Sequence, residues 1–126
     1  MQISAIVKTL LLTGVVLLSL DAIYITTMKN MFEIQIAAVQ RVALQFRILG
    51  AVMCYILLIA GLYYFILRNH RPISDAFFLG ILIYGVYDST NYATLKQWKW
   101  ETVAIDTLWG GILFALTTEI VYLAGI

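Results

Sequence analysis

The sequence predicts an all-α integral membrane protein: a four-transmembrane-helix bundle with a short amphipathic interfacial helix between spans one and two. Three observations carry this prediction. The 126-residue chain is 63% hydrophobic and only 12% charged, whereas soluble domains are about half apolar and about a quarter charged. Residues 48–67 form an unbroken run without a charge. The shorter apolar runs 9–20, 76–87 and 107–118 are each flanked on one side by an aspartate, namely Asp21, Asp88 and Asp106.

A bilayer core of about 30 Å needs about 20 helical residues. Residues 48–67 satisfy that unaided and close on Arg68-Asn69-His70-Arg71-Pro72, a polar turn. The other runs are too short alone, so each span must continue past its aspartate. That gives spans over about 3–27, 74–95 and 102–125, and a single membrane domain over 1–126. Lys8 followed by an apolar run also has the form of a signal peptide. No small-x-small cleavage site follows, and Asp21-Ala22-Ile23-Tyr24-Ile25 stays apolar, so the segment is read as a retained span. Residues 28–47 mix apolar Phe32, Ile36, Val39, Ala43 and Phe46 with polar Glu33, Gln40, Arg41, Gln45 and Arg47 at helical spacing. That pattern predicts the interfacial helix.

Alternating helices put both termini on one side, here side A, and the loops after spans one and three on side B. Side B carries Lys29, Arg41, Arg47, Lys96 and Lys99, and side A carries Lys8, Arg68 and Arg71. The positive-inside rule therefore favours side B as cytoplasmic. The sequence does not specify which membrane.

Helix direction also gathers the aspartates. Asp21 and Asp88 fall late in spans running from A to B, and Asp106 falls early in a span running back. All three lie in the side-B leaflet. Asn91 and Tyr84 share a helix face with Asp88, Tyr24 follows Asp21 by one turn, and Trp109 follows Asp106 likewise. Arg47 is the nearest basic candidate in sequence. Charge inside a bilayer costs about 2.5–3.5 kcal/mol per residue on insertion scales, so these carboxylates are expected to face the interior. There they would pair with Arg47, Lys96 or Lys99, share protons, or hold a cation. The candidate polar site is Asp21, Tyr24, Asp88, Asn91, Asp106, Trp109 and Arg47.

Other features imply less. Cys54 allows no intramolecular disulfide and reads as a packing residue. His70 has no second histidine, so it makes no metal motif and is expected to be solvated. Glu119 is placed to snorkel on side A. Gly50, Gly61, Gly80, Gly85, Gly110 and Gly111 lie within spans, where small residues let helices approach closely. Tyr63, Tyr64, Trp98 and Trp100 cluster at span ends as interface anchors. No nucleophile elbow, phosphate loop or paired His-Glu metal helix is present, and no cofactor or metal is implied. The net charge of +1 gives no basic field for nucleic acid. The expected partners are the lipid bilayer and either further copies of the chain or a larger membrane complex.

The stretch Tyr87-Asp88-Ser89-Thr90-Asn91-Tyr92-Ala93-Thr94-Leu95, followed by Asp106-Thr107-Leu108-Trp109-Gly110 and preceded by Leu20-Asp21-Ala22-Ile23-Tyr24, resembles a known family. It is a family of small, mostly bacterial, predicted membrane proteins catalogued as a domain of unknown function. Their pattern reads Y-D-x-T-N-x-A-T-L, then D-x-x-W-G, with an early L-D-x-x-W. Tyr24 stands where that family usually has Trp, and Ser89 where Leu is frequent. The resemblance implies four spans and the polar motif already singled out, with no established reaction. Similar members are encoded near lipid-modifying enzymes, a hint towards lipid chemistry. Three function classes follow. One is a transporter or channel module whose polar site binds or conducts a proton, a small cation or a polar head group. The second is a lipid-associated enzyme or accessory factor. The third is a structural subunit of a larger membrane complex.

Overall fold

Proline is nearly absent from the chain, and long apolar runs satisfy their backbone groups most simply as helix. The computed structural model describes residues 3–40 and 47–125. Among them the structure is helical, with no strand: α1 (Ile3–Thr27), α2 (Lys29–Gln40), α3 (Ile48–Leu62), α4 (Ile73–Thr94) and α5 (Trp100–Leu123). The last turn of α3 widens into a π-helical turn over Tyr63–Leu67. Pro72, in extended conformation, caps the start of α4, where its missing N–H costs nothing. Met28 alone separates α1 from α2. The helices therefore coincide with the ranges expected for the spans, with α4 and α5 each beginning slightly earlier than expected. The second part of the expected interfacial segment, with Arg41, Ala43, Gln45 and Phe46, lies outside the described residues.

Three helices are long and apolar enough to cross a membrane: Ile3–Thr27, Ile48–Leu67 and Trp100–Leu123. α4 falls short of the same apolar level because Asp75, Asp88, Asn91 and the tyrosines 84, 87 and 92 dilute it. Outward faces are greasy: Leu11, Val15, Ile56, Leu57, Phe78 and Val86 are all exposed. Inward faces are more polar than a soluble core. The buried residues of α1 are Thr9, Thr13, Leu17, Asp21 and Tyr24. Such inversion is what lipid solvent selects, because polar groups there must find partners inside the protein.

The apolar core is built from Leu17, Leu58, Leu62, Ile66, Leu67, Ala76, Leu113, Phe114 and Val121. α4 and α5 form the closest pair. A Cβ on Gly80 would lie 2.1 Å from the Gly110 carbonyl oxygen, and one on Gly111 would meet Ile81 and Phe77 at 2.8 Å. Gly50 and Gly61 break the expectation, since nothing lies within 4 Å of a Cβ at either. Both sit on the loosely covered α3, where no neighbour requires their smallness. Cys54, expected to pack, is exposed on that same helix.

On side A, His70 is exposed but not merely solvated. It has a positive φ of 51° and stacks on Tyr122 at 3.9 Å between ring centroids. The Tyr122 hydroxyl donates to the Arg71 carbonyl at 2.7 Å, so the loop after α3 is tied to the end of α5. Glu119 is exposed near that end, as expected.

Candidate functional site

The three aspartates come from three helices and are buried: Asp21 and Asp106 are each 6% exposed and Asp88 is fully buried. Their surroundings differ sharply. Asp21 is fully engaged. Its Oδ1 accepts a 2.9 Å hydrogen bond from the Trp109 indole Nε1, and its Oδ2 accepts one from the Tyr55 hydroxyl. This carboxylate therefore joins α1 to both α3 and α5. Asp106 is partly engaged, its Oδ1 accepting from the Tyr24 hydroxyl at 3.0 Å. The Tyr24 ring stacks on Trp109 with centroids 4.7 Å apart and planes 5° from parallel. Tyr24 and Trp109 thus form one aromatic slab that holds Asp21 with one edge and Asp106 with another.

Asp88 is different. Neither of its oxygens has a hydrogen-bond partner among the described residues. It lies against the Asp106 carboxylate and the Trp98 indole. The Trp98 Nε1 is itself buried without a partner among the described residues. Trp98 was grouped with interface anchors, but only 6% of it is exposed. The extended segment before α5 folds it inward, edge-on to Tyr87 at 6.3 Å. The Asp88 carboxyl and the Trp98 indole N–H therefore lie close together at the side-B end of the helices, neither with a hydrogen bond of good geometry among the described residues, while Asp106 beside them keeps its bond from Tyr24.

Among the described residues no basic side chain neutralises the cluster. Arg47 stands exposed at the start of α3, and Lys96 and Lys99 are exposed. Among the described residues the ion pairs are Lys29–Glu33 and Arg71–Asp75, both on exposed side chains. Aromatic hydroxyls and indoles take the place expected for cations. These groups donate hydrogen bonds without carrying charge, so they cost less to bury than a lysine or arginine. Asn91, placed beside Asp88 by helix periodicity, is half-buried and interacts with Tyr87 one turn earlier.

Sequence reasoning missed two contributors. Tyr55 sits in the longest apolar run, where it reads as one more lipid-compatible aromatic. Gln35 of α2 is 2% exposed. Its Oε1 accepts from the Lys99 backbone N–H at 2.7 Å and from the Thr102 hydroxyl at 3.0 Å. Its amide donates to the Gln97 carbonyl. One glutamine thereby docks α2 onto the segment that carries Trp98, while Phe32 of α2 meets Tyr24 edge-on at 5.9 Å. A signal was there: Gln35 is the polar break inside Ile34, Ile36, Ala37 and Ala38, and an uncharged polar residue amid apolar neighbours marks an internal contact.

A family model described as "Predicted membrane protein (DUF2177)" matches residues 6–123. The chain belongs to that family. Membership bears out the resemblance carried by the three short motifs, and every residue of the cluster falls within the matched range. For this family member, the motif residues Asp21, Asp88, Asp106 and Trp109 are the ones the fold brings into one polar cluster. No curated protein and no solved structure matches the chain.

Proposed function

We propose that this protein crosses the membrane four times, with α4 as the fourth crossing helix and α2 at the side-B interface, and that the Asp88–Asp106 pair is its binding site, taking up a proton from side B. The observation that carries this reading is Asp88, a fully buried carboxyl whose oxygens make no hydrogen bond of good geometry among the described residues and which lies beside a second carboxyl, that of Asp106. Two like charges in one low-dielectric site cannot both persist without a counter-charge. Tyr24 and Trp98 beside them are uncharged donors. Among the described residues no group of three or more His, Cys, Asp or Glu is placed to hold a metal ion, whereas sharing a proton needs only the two carboxyls. α4 falls short of the other spans in hydropathy because it carries the site, and packing on α5 shields its polar face from lipid.

Infrared difference spectroscopy on the protein in lipid vesicles, recorded as the side-B pH is stepped, tests the assignment. A protonated-carboxyl band is expected that moves on 13C-aspartate labelling and vanishes in Asp88→Asn. Absence of any such band across the step range overturns it.

A second reading has one observation in its favour. An open groove between α4 and α5, lined by Ser89, Tyr92, Trp100 and Val103, lies near the pair and is suited to an acyl chain, as a lipid-associated enzyme or accessory factor would require.

The topology makes its own prediction. Single cysteines at Lys29 and Lys99, in a background with Cys54→Ala, are expected to label from the same side, the cytoplasmic one, and a cysteine at Arg71 from the opposite side. Opposite-side labelling of the first two would rule out four spans.

A further inference from the structure

We infer that Trp98 is the side-B gate of the proton site and that Gln35 of α2 is the latch that keeps it shut; this rests on the proton site proposed at Asp88 and Asp106. α4 ends at Thr94 and α5 begins at Trp100, so five residues join two closely packed helices. Leu95 and Lys99 are extended, and the Trp98 backbone N–H donates to the Leu95 carbonyl at 3.0 Å. Of these five residues only Trp98 is buried, while Lys96, Gln97 and Lys99 around it are exposed. Its indole lies against the Asp88 carboxyl and edge-on to Tyr87.

The group that holds this indole in place comes from another helix. The Gln35 amide donates to the Gln97 carbonyl, and its Oε1 accepts from the Lys99 backbone N–H and the Thr102 hydroxyl. The two backbone groups bracket Trp98 in sequence. A glutamine bonded to both therefore fixes the direction in which the residue between them points. Gln35 is also the one buried residue of α2, and Phe32 adds an edge-on contact with Tyr24. α2 is thus fastened by a polar side chain rather than by a buried apolar face, and such a contact can break and re-form without uncovering a core.

An independent observation marks this cover as one that opens. The Trp98 Nε1 and both Asp88 oxygens are buried with no hydrogen bond of good geometry among the described residues, although donor and acceptor are neighbours. A permanent cover would satisfy both, because buried polar groups left unpaired are costly. When the indole swings out, it gives up no side-chain hydrogen bond to a described residue, and Asp88 gains water. The other titratable groups around the carboxyl pair are Tyr24 and Asp21 of α1 and Tyr87 of α4. With the gate open, a proton passes from side-B water to an Asp88 carboxylate oxygen. Closure seals it in, and no group is oxidised or reduced. Gln35 acts only through Trp98, as a positioning residue.

The test mixes the full-length protein in lipid vesicles rapidly with D2O and follows the protonated-carboxyl infrared band as it moves to its deuterated position. Wild type is expected to exchange slowly, and Gln35→Leu and Trp98→Ala several-fold faster. Tyr122→Phe, which cuts the tie of the side-A loop to α5, controls for general loosening and should exchange at the wild-type rate. Should Gln35→Leu fail to fold, Gln35→Glu takes its place, since it keeps the acceptor and loses only the bond to Gln97. Equal exchange in wild type, Gln35→Leu and Trp98→Ala overturns the gate, as does a Tyr122→Phe protein exchanging as fast as Gln35→Leu. Faster exchange in Trp98→Ala alone overturns the latch. A band with unchanged kinetics leaves the proton site standing and removes the gate, whereas absence of the band removes the site and the gate with it.

Discussion

Asp88→Asn is expected to leave the protein folded and melting no lower than wild type, whereas Asp21→Asn lowers the melting temperature. The substitutions are chemically identical, so the difference comes from the surroundings. Asp88 has no hydrogen bond to lose among the described residues, and an amide removes the cost of a buried ionisable group. Asp21 accepts from both Trp109 and Tyr55. An amide there offers one acceptor and confronts the other donor with an N–H. Leaving a buried donor unpaired costs about 1–3 kcal/mol, although hydrogen bonds in membrane bundles average nearer ~0.6 kcal/mol. A loss of about 1 kcal/mol is the expected size in this setting. Thermal unfolding in one detergent, monitored by Trp fluorescence, makes the comparison. Equal melting points for the two variants would erase the division between a structural and a functional aspartate.

The second large effect concerns the α4–α5 contact. Gly80→Ala is expected to destabilise the protein strongly, since the new Cβ would lie 2.1 Å from a backbone oxygen of Gly110. No side chain can rotate to relieve a clash with backbone, so the helices must part. Overpacking costs about 1–3 kcal/mol and sometimes more, and separation would also wet the Asp88–Asp106 pair. Gly50→Ala and Gly61→Ala meet nothing within 4 Å. They should be neutral or gain up to about 1 kcal/mol from helix propensity. A Gly80→Ala protein as stable as Gly61→Ala would show that the close approach is not needed for the fold.

The gathering of the three aspartates at one end of the helices was legible in the sequence, because helix direction and the position of each aspartate along its helix are both one-dimensional facts. Tyr24 and Trp109 were legible for the same reason, each one turn from an aspartate. Partners that arrive from another helix were not. Tyr55 approaches Asp21 across the bundle, and no periodicity in residues 48–67 distinguishes it from lipid-facing neighbours. Trp98 was misplaced because a tryptophan near a span end looks alike whether it points out to the interface or in over Asp88. The glycines divided on the same ground: Gly80 and Gly61 are equivalent as letters, and only the helix opposite decides which one must be small. The unequal satisfaction of Asp21 and Asp88 is a property of neighbours, which pattern alone does not carry.

The long reach of the Gln35 and Asp21 contacts bears on biogenesis. Gln35 waits for Gln97, 62 residues later, and Asp21 waits for Trp109, 88 residues later. During synthesis, α1 must therefore enter the bilayer with its aspartate unpaired by Trp109, which its strongly apolar flanks permit. α4 enjoys no such margin, and in the proposed four-span topology its tight match to α5 would let the two go in together as a hairpin. Only when that hairpin has arrived can α2 settle onto the loop between its arms. The polar cluster is consequently the last part of the protein to be completed at the translocon, and a chain stalled before Trp109 would expose an unsatisfied aspartate to membrane quality control.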